Sequence, residues 1–285
     1  MGSYPPIPEP QILPPDGGYT LPPPQPVRRS RPSWMLSPAT YLLVGINCLV
    51  FLAMAAHHVS MANPTTDQLM FWGADNAGNV LLLGEWGRIV TAMFVHVGFW
   101  HLLGNMWCLW NLGLLAEPLM GSMGLLTVYI LSGAAGNLLS TCVNWFASNP
   151  DWEKYHDLAV FPAGAGASGA VFGIAGALIV LLKSARLPVP PVELKKLRKS
   201  VIYFAVINLV IGFSISMGNM VAHSGLNIDN MAHLGGFTSG LLFAAPMVPR
   251  LGSPRPLFWR RLRLTTLLVV ALLVLFGFYL AQLPG

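Results

Sequence analysis

Three observations predict that this sequence folds as an all-α polytopic membrane protein. First, 54% of its 285 residues are hydrophobic and only 9% are charged, whereas a soluble domain carries about 25% charged residues. Second, seven apolar stretches have close to the length that a helix needs to cross a bilayer. Third, the basic residues cluster at the ends of these stretches. Lipid is therefore the expected solvent for most of the chain's surface.

The seven apolar stretches predict seven transmembrane helices, one of them short. A helix that rises about 1.5 Å per residue needs about 20 residues to cross a hydrocarbon core about 30 Å thick. The stretches are 39–57, 100–118, 121–144, 168–183, 201–219, 230–248 and 263–282. The fourth has only about 16 residues. A short helix must begin below the membrane surface or leave a water-filled depression above it.

The basic residues predict how the chain is oriented. If seven helices alternate, fourteen of the sixteen Lys and Arg lie on one side, and only Arg88 and Lys154 lie on the other. By the positive-inside rule the N-terminus is cytoplasmic and the C-terminus is outside, and we expect the membrane to be a bacterial inner membrane. The fourteen are Arg28, Arg29, Arg31, Lys183, Arg186, Lys195, Lys196, Arg198, Lys199, Arg250, Arg255, Arg260, Arg261 and Arg263.

The formal net charge of +5 raises the question of a nucleic-acid partner. The basic residues form no stripe with interleaved aromatic residues, so we expect no such partner. The first 34 residues hold eleven of the 24 prolines. A segment of this composition has too little apolar surface to offset the entropy of ordering it, so we interpret 1–37 as a disordered cytoplasmic tail.

Polar side chains occur within the apolar stretches, where they are costly and by default mark a function or a helix contact. His101 and Asn105 in the second stretch are four residues apart, so they share one helix face near its outer end. Taken alone, helix–helix hydrogen bonds would explain this pair equally well.

Glycine-rich runs accompany a serine in the fourth stretch and a histidine in the sixth. Ser168 lies at the outer end of the short stretch, and His233 precedes Gly236 and Gly240 by three and seven residues. A histidine on a glycine-lined face can approach another helix until its ring is about 3 Å from a hydroxyl, as a general base requires. A lone serine among glycines is most often a packing residue. The glycines beside Ser168 are Gly166, Gly169, Gly173 and Gly176.

Together these residues predict a catalytic site close to the outer membrane surface. Ser168 would be the nucleophile and His233 its general base. His101 and Asn105 would donate hydrogen bonds to a developing oxyanion, and one such donor is typically worth about 2.7–4 kcal/mol. The depression above the short helix would admit the water that hydrolysis needs.

Three spaced motifs resemble the signatures of the rhomboid protease family. They lie in the family's order on the second, fourth and sixth helices, and the resemblance covers residues 38–248. The motifs are His96-x₄-His101-x₃-Asn105, Gly166-Ala167-Ser168-Gly169 and Ala232-His233-x₂-Gly236-x₃-Gly240. The resemblance implies a rhomboid-like six-helix catalytic core at 38–248. Residues 249–285 then form a basic cytoplasmic loop and an additional seventh transmembrane helix.

The resemblance also implies an activity. It implies an intramembrane serine endopeptidase with a Ser168–His233 dyad, no acidic third member, and no metal or cofactor. The oxyanion hole is formed by His101, Asn105 and the Ser168 backbone N–H. The implied substrates are single-pass transmembrane proteins, cut near the outer face of the bilayer.

The resemblance assigns supporting roles to six further residues. Phe172 packs against the catalytic histidine, and Gly236 and Gly240 bring the sixth helix against the fourth. His96 has a structural hydrogen-bonding role, and Arg88 anchors the outer loop, although Gly87 stands where the family usually has a tryptophan beside this arginine. The six residues are Arg88, His96, Gly166, Phe172, Gly236 and Gly240.

Two other classes of function remain as alternatives. An inactive rhomboid-like protein binds membrane clients without cutting them, but such proteins lose the nucleophile or the histidine, and this chain keeps both. A transporter or metal-handling protein could be built from the seven histidines. The four histidines outside the three motifs are scattered, however, and the sequence has no HExxH motif. These are His57, His58, His156 and His223.

Overall fold

A computed structural model describes residues 37–184, 187, 190–222, 229–250 and 254–284. Nearly all of the predicted tail at 1–37 therefore lies outside the described residues, and so do Arg186 and His223. The described chain is mostly helical, which confirms the predicted fold class. Its β structure is one antiparallel pair of two-residue strands, with Asp75 opposite Gly164.

The elements follow one another with short connections at one end of the bundle and a long loop at the other. The α-helices are α1 (Pro38–Ala56), α2 (Thr66–Phe71), α3 (Ala77–Leu81), α4 (Arg88–Thr91), α5 (Phe99–Tyr155), α6 (Ser168–Leu181), α7 (Pro191–Ala222), α8 (Asn230–Ala244) and α9 (Arg255–Leu280). The strands are β1 (Asp75–Asn76) and β2 (Ala163–Gly164), and 3₁₀ helices span Leu158–Val160 and Ala245–Arg250.

The long helix α5 is broken at Gly121, whose φ of 73° and ψ of 164° are not helical. A positive φ suits glycine because it has no Cβ. The break separates a first arm, 99–120, from a second arm, 122–155, and these arms contain the stretches predicted as two helices. The second arm continues to Tyr155, past the predicted end at 144. Polar i,i+4 contacts support this extension, since the Asn149 amide donates to Glu153 Oε1 over 2.8 Å.

Four of the described helices are long and apolar enough to cross a bilayer. They are Pro38–Ala56, Phe99–Asp151, Asn230–Val248 and Pro256–Leu280. Helix α6 has 14 residues, so the prediction of a short fourth helix is confirmed. Helices α7 and α9 begin earlier than predicted because their first turns are polar, and hydropathy detects only the apolar part. The count of seven crossings stays a prediction.

We call the two ends of the bundle outer and inner, after the orientation that the basic residues predict. At the outer end, the Phe99 N–H donates to the Met61 carbonyl over 2.7 Å, and Leu280 at the end of α9 is buried with Ile89 of the 57–98 loop. The inner end holds the starts of α1, α7 and α9. The basic side chains that the structure describes lie at this inner end, apart from Arg88 and Lys154.

Glu117 joins the start of α1 to the first arm at the inner end by accepting hydrogen bonds. Its side chain is 2% exposed and accepts from the Ala39 N–H over 2.9 Å and the Thr40 N–H over 2.8 Å. The hydroxyls of Thr40 and Ser122 donate to it over 2.7 and 2.6 Å. The first amide groups of a helix have no partner within the helix. Glu117 supplies one for two of them.

Replacing Glu117 should destabilise the fold more than replacing an exposed acidic residue at the same end. Glu117→Ala leaves two buried N–H groups without a partner, which costs roughly 2–5 kcal/mol in total. We expect a clear fall in the thermal unfolding midpoint in detergent. Glu193→Ala is the matched control, because Glu193 forms only an exposed ion pair with Lys196, typically worth about 0–1 kcal/mol. Equal midpoints for the two variants would contradict this role.

Candidate active site

Helices α6 and α8 are in backbone contact, and glycines make this possible. A Cβ added to Gly236 would collide with the backbone of Gly169, and one added to Gly240 would collide with that of Gly173. A larger residue at either position of α8 would force the helices apart. Stripes of small residues allow such close packing where lipid supplies no hydrophobic drive.

A second glycine contact holds α8 from another side. A Cβ on Gly136 of the second arm would collide with the Ala232 carbonyl, and one on Gly235 would lie 2.9 Å from the Ala135 carbonyl oxygen. Our sequence analysis did not identify this contact. The available signal was the spacing Gly133-x-x-Gly136, of which Gly136 meets α8 and Gly133 meets Met93 and Ala170 of α6. The histidine-bearing end of α8 is therefore positioned by two helices.

Ser168 and His233 are brought together by these contacts. His233 Nε2 lies 2.8 Å from Ser168 Oγ, and its ring stacks on Phe172 with centroids 4.4 Å apart and planes at 17°. His233 is 7% exposed. Its Nδ1 has no hydrogen-bond partner among the described residues. The ring is thus fixed by stacking and by the serine, with no carboxylate behind it.

Ser168 is the first residue of α6, a position that leaves its N–H free of helical hydrogen bonds. No side chain caps this helix start. The preceding Gly166 has a φ of 136°, and a Cβ there would lie 2.5 Å from His101 Cε1. Glycine at 166 therefore lets the His101 ring lie directly against the loop that carries the serine. A free N–H at a helix N-terminus favours negative charge.

The predicted oxyanion residues line the same cavity as the serine and histidine. The cavity has a volume of about 380 Å³ and is bordered by His101, Asn105, Cys108, Ser168, Phe204 and His233. The Asn105 amide donates one hydrogen bond to the His101 carbonyl over 3.0 Å, and its second N–H remains available. The structure thus brings His101 and Asn105 to the cavity that Ser168 also lines.

His96 lies behind this site and is fully buried. Its Nδ1 is 3.3 Å from the Phe94 carbonyl, so this nitrogen carries the proton and donates. Its ring centroid lies 5.4 Å from that of His101. Burial, reinforced by His101, lowers the pKa of His96 to about 3. His96 is therefore a neutral ring packed behind His101.

Arg88 ties together several parts of the outer loop. It donates to the Met70 and Ala74 carbonyls over 2.7 and 2.9 Å and pairs with Glu85. Gly87 faces open space, while Trp86 approaches Gly277 of α9. Trp86, two residues before this arginine, thus packs on α9.

Asp229 caps the start of α8. Its Oδ1 accepts from the Ala232 N–H over 2.9 Å and its Oδ2 from the Ser140 hydroxyl over 2.5 Å. Burial raises its pKa. Asp75 lies nearby in β1 and accepts from the Thr141 hydroxyl over 3.1 Å. Sequence reasoning missed this second carboxyl group because Asp75 lies in the outer loop, far from any motif.

The described residues contain no cluster of three or more His, Cys, Asp or Glu side chains placed to hold a metal ion. The three cysteines Cys48, Cys108 and Cys142 are unpaired and half-buried.

Ser168 is half-buried at the start of a short, glycine-packed helix and contacts His233 beside a cavity in a helical membrane protein. The chain matches the Rhomboid domain family over residues 83–250. It is 32% identical over 247 residues to rhomboid protease GluP of Bacillus subtilis, covering 86% of this chain and 41% of that protein. It is 31% identical over 212 residues to rhomboid protease AarA of Providencia stuartii, covering 72% and 70%.

These comparisons show that the chain belongs to the rhomboid family of polytopic membrane serine proteases. A eukaryotic relative, RHOMBOID-like protein 1 of Arabidopsis thaliana, is 30% identical over 184 residues, covering 64% of this chain and 40% of that protein. The chain thus spans less than half of the length of GluP and of the Arabidopsis protein, and 70% of the length of AarA.

The helix contact at Gly236 can be tested directly. Gly236→Val should separate α8 from α6, because its side chain would overlap the Gly169 backbone, and such overpacking costs about 1–3 kcal/mol or more. We expect the variant to lose labelling of Ser168 by a fluorophosphonate. Gly45→Val is the control, since a Cβ at Gly45 in α1 meets no atom within 4 Å. Full labelling of the Gly236 variant would show that the close approach is not needed.

Proposed function

We propose that this protein is an intramembrane serine endopeptidase that hydrolyses peptide bonds in or near the transmembrane segments of membrane proteins. The observation that carries the proposal is the 2.8 Å approach of His233 Nε2 to Ser168 Oγ beside an open cavity. This distance lies within the range for proton transfer, about 2.6–3.2 Å. Membership of the rhomboid family supports the same activity.

The proposed reaction begins with attack of Ser168 Oγ on the carbonyl carbon of the scissile bond. The hydroxyl proton moves to His233 Nε2, and the carbonyl oxygen becomes an oxyanion. That oxyanion accepts hydrogen bonds from the Ser168 N–H, the Asn105 amide and His101. The imidazolium then protonates the leaving amine, and the C–N bond breaks. Water, deprotonated by His233, hydrolyses the acyl-serine and restores the enzyme.

The stacked Phe172 ring supports His233 in this scheme. A dyad without a carboxylate needs another means of holding its imidazole, and packing against Phe172 and the α6 backbone provides one. The shortness of α6 supports a serine that lies beneath the outer membrane surface, with water reaching it through the cavity. The low dielectric of the surroundings strengthens the hydrogen bonds offered to the oxyanion.

We propose that substrates are single-pass transmembrane proteins and that they enter from the lipid. The cavity is bordered by the first arm of α5 on one side and by Phe204, Asn208 and Ile211 of α7 on the other. Ile207 and Ile211 of α7 are exposed, as expected of a surface that meets lipid or a bound helix. A covalent tether between the first arm and α7 would block this route.

Alanine substitutions test the proposed chemistry. Ser168→Ala and His233→Ala should each abolish fluorophosphonate labelling and cleavage of a reconstituted single-pass substrate. Asn105→Ala should slow cleavage by roughly 10²–10³, the usual effect of losing one oxyanion donor. The measurements are gel-based labelling in detergent and cleavage rates in vesicles.

Control variants separate loss of chemistry from loss of fold. Ser200→Ala and His58→Ala remove an exposed serine and an exposed histidine elsewhere and should leave both rates unchanged. All variants should retain the wild-type unfolding midpoint within a few degrees. Residual cleavage by Ser168→Ala at the wild-type rate would overturn the assignment of the nucleophile.

The proposed orientation places the inner end in the cytoplasm and the end of α9 outside. The support is the predominance of lysine and arginine at the inner end. A periplasmic-type reporter, such as alkaline phosphatase, fused after α9 should be active, whereas the same reporter joined to the inner 184–190 loop should be inactive. The opposite pattern would reverse the topology.

A further inference from the structure

Two carboxyl groups meet behind the active site, at a junction of three elements. Asp75 belongs to β1, which pairs with Gly164 of β2, four residues before Ser168. Asp229 caps α8, four residues before His233. The junction therefore connects directly to both members of the proposed dyad.

One turn of the second arm of α5 holds both carboxyl groups. The Ser140 hydroxyl donates to Asp229 Oδ2 over 2.5 Å, and the Thr141 hydroxyl donates to Asp75 Oδ2 over 3.1 Å. The Asn144 amide donates to the Ser140 hydroxyl over 3.0 Å. Ser140 and Thr141 are 2% and 1% exposed. The outer-loop strand, the second arm and the start of α8 are thus joined by one buried network.

The two carboxyl groups flank Gly164. A Cβ built on this glycine would lie 3.5 Å from Asp229 Oδ2 and 3.8 Å from Asp75 Cβ. Asp75 is 4% exposed, and its Oδ1 has no partner among the described residues. Two negative charges beside the same glycine in a buried site repel each other. One neutral and one ionised carboxyl group is the favoured arrangement.

The charged groups that face Asp75 are few. They are Asp229 on α8 and Arg88 on α4, and Arg88 is already paired with Glu85. His233 lies one turn along α8, and the residues of β2 and of the 140–144 turn carry no charge. Burial raises the pKa of Asp75 to about 7, and Asp229 adds to this, against the Thr141 hydrogen bond and the more distant Arg88.

We infer that Asp75 is a positioning residue that acts in its protonated form. Neutral Asp75 keeps β1 and β2 against the second arm beside ionised Asp229, and so fixes the Gly164–Ser168 segment relative to the start of α8. Ionised Asp75 repels Asp229 and shifts the histidine-bearing helix away from the serine. This inference rests on the proposed function, because its consequence is measured on the cleavage reaction.

The sign of the pH effect follows from the raised pKa of Asp75. A carboxyl group with a raised pKa makes its full contribution to the free energy of unfolding below its unfolded pKa of 3.8. That contribution is lost as pH rises through about 7. Wild-type kcat should therefore fall on the alkaline side, by about tenfold between pH 6 and pH 8, as the protonated fraction falls. KM should change less, since Asp75 does not touch the substrate.

Asp75→Asn is the decisive variant, because asparagine stays neutral and can still accept from Thr141. Its kcat should lack the alkaline fall and should exceed that of wild type at pH 8. Its unfolding midpoint should also be less dependent on pH than that of wild type. Asp75→Ala, which cannot accept the hydrogen bond, should have a lower kcat at every pH. Asp67→Asn, a change at an exposed acid of the same loop, should reproduce the wild-type profile.

Infrared spectroscopy gives a measurement that does not depend on activity. Wild type at pH 6 should show the carbonyl stretch of a buried protonated carboxyl group, absent in Asp75→Asn and retained in Asp67→Asn. The inference is overturned if Asp75→Asn keeps the wild-type pH profile, or if that band is missing from wild type. A wild-type protein that neither cleaves nor labels at any pH would instead contradict the proposed function, and the infrared result would still report on Asp75.

Discussion

Gly236 and Gly240 of α8 lie against the backbones of Gly169 and Gly173 of α6, and the geometry of the active site depends on this contact. Helices that carry side chains at their interface lie about 8–10 Å apart, and a Cβ at Gly236 or Gly240 would push α8 away from α6. Removing the Cβ atoms lets the two backbones touch. The Ser168–His233 distance of 2.8 Å is then set by rigid helices rather than by mobile loops. Such support favours precise catalytic geometry.

Polar groups at the outer end are held by hydrogen-bond networks, which are buried around Asp229 and partly exposed around Arg88. An unsatisfied polar group in an apolar environment is costly, so a network with all members paired specifies one arrangement strongly. The Arg88 guanidinium donates to two carbonyls and pairs with Glu85. The Asp229 carboxyl group accepts from the Ser140 hydroxyl and from the start of α8. The outer loop reaches the segment before Ser168 through the β1–β2 pair. The loop is therefore part of the site's framework.

The last helix contributes to that framework from the opposite side. Its outer end packs Leu280 into an apolar cluster with Ile89 and the second arm, and Gly277 receives the edge of Trp86. This packing explains how the outer loop is held even though Gly87 faces open space. At the inner end, Glu117 performs a comparable function by joining the start of α1 to the first arm. Buried hydrogen bonds thus stabilise the packing at each end of the bundle.

Hydropathy determined the membrane class and the short fourth helix, because apolar length alone decides whether a segment can cross lipid. The helical period of 3.6 residues predicted that His101 and Asn105 share one face. The similar depths of the three stretches, together with the resemblance to the rhomboid family, predicted that Ser168 and His233 lie near them. Hydropathy also divided α5 into two stretches close to the break at Gly121, but it could not find the polar extensions of α5 and α7. Only the tertiary structure placed Asp75 beside Asp229 and Gly136 beside Ala232, because these contacts join residues far apart in the chain, and no local pattern encodes such distances.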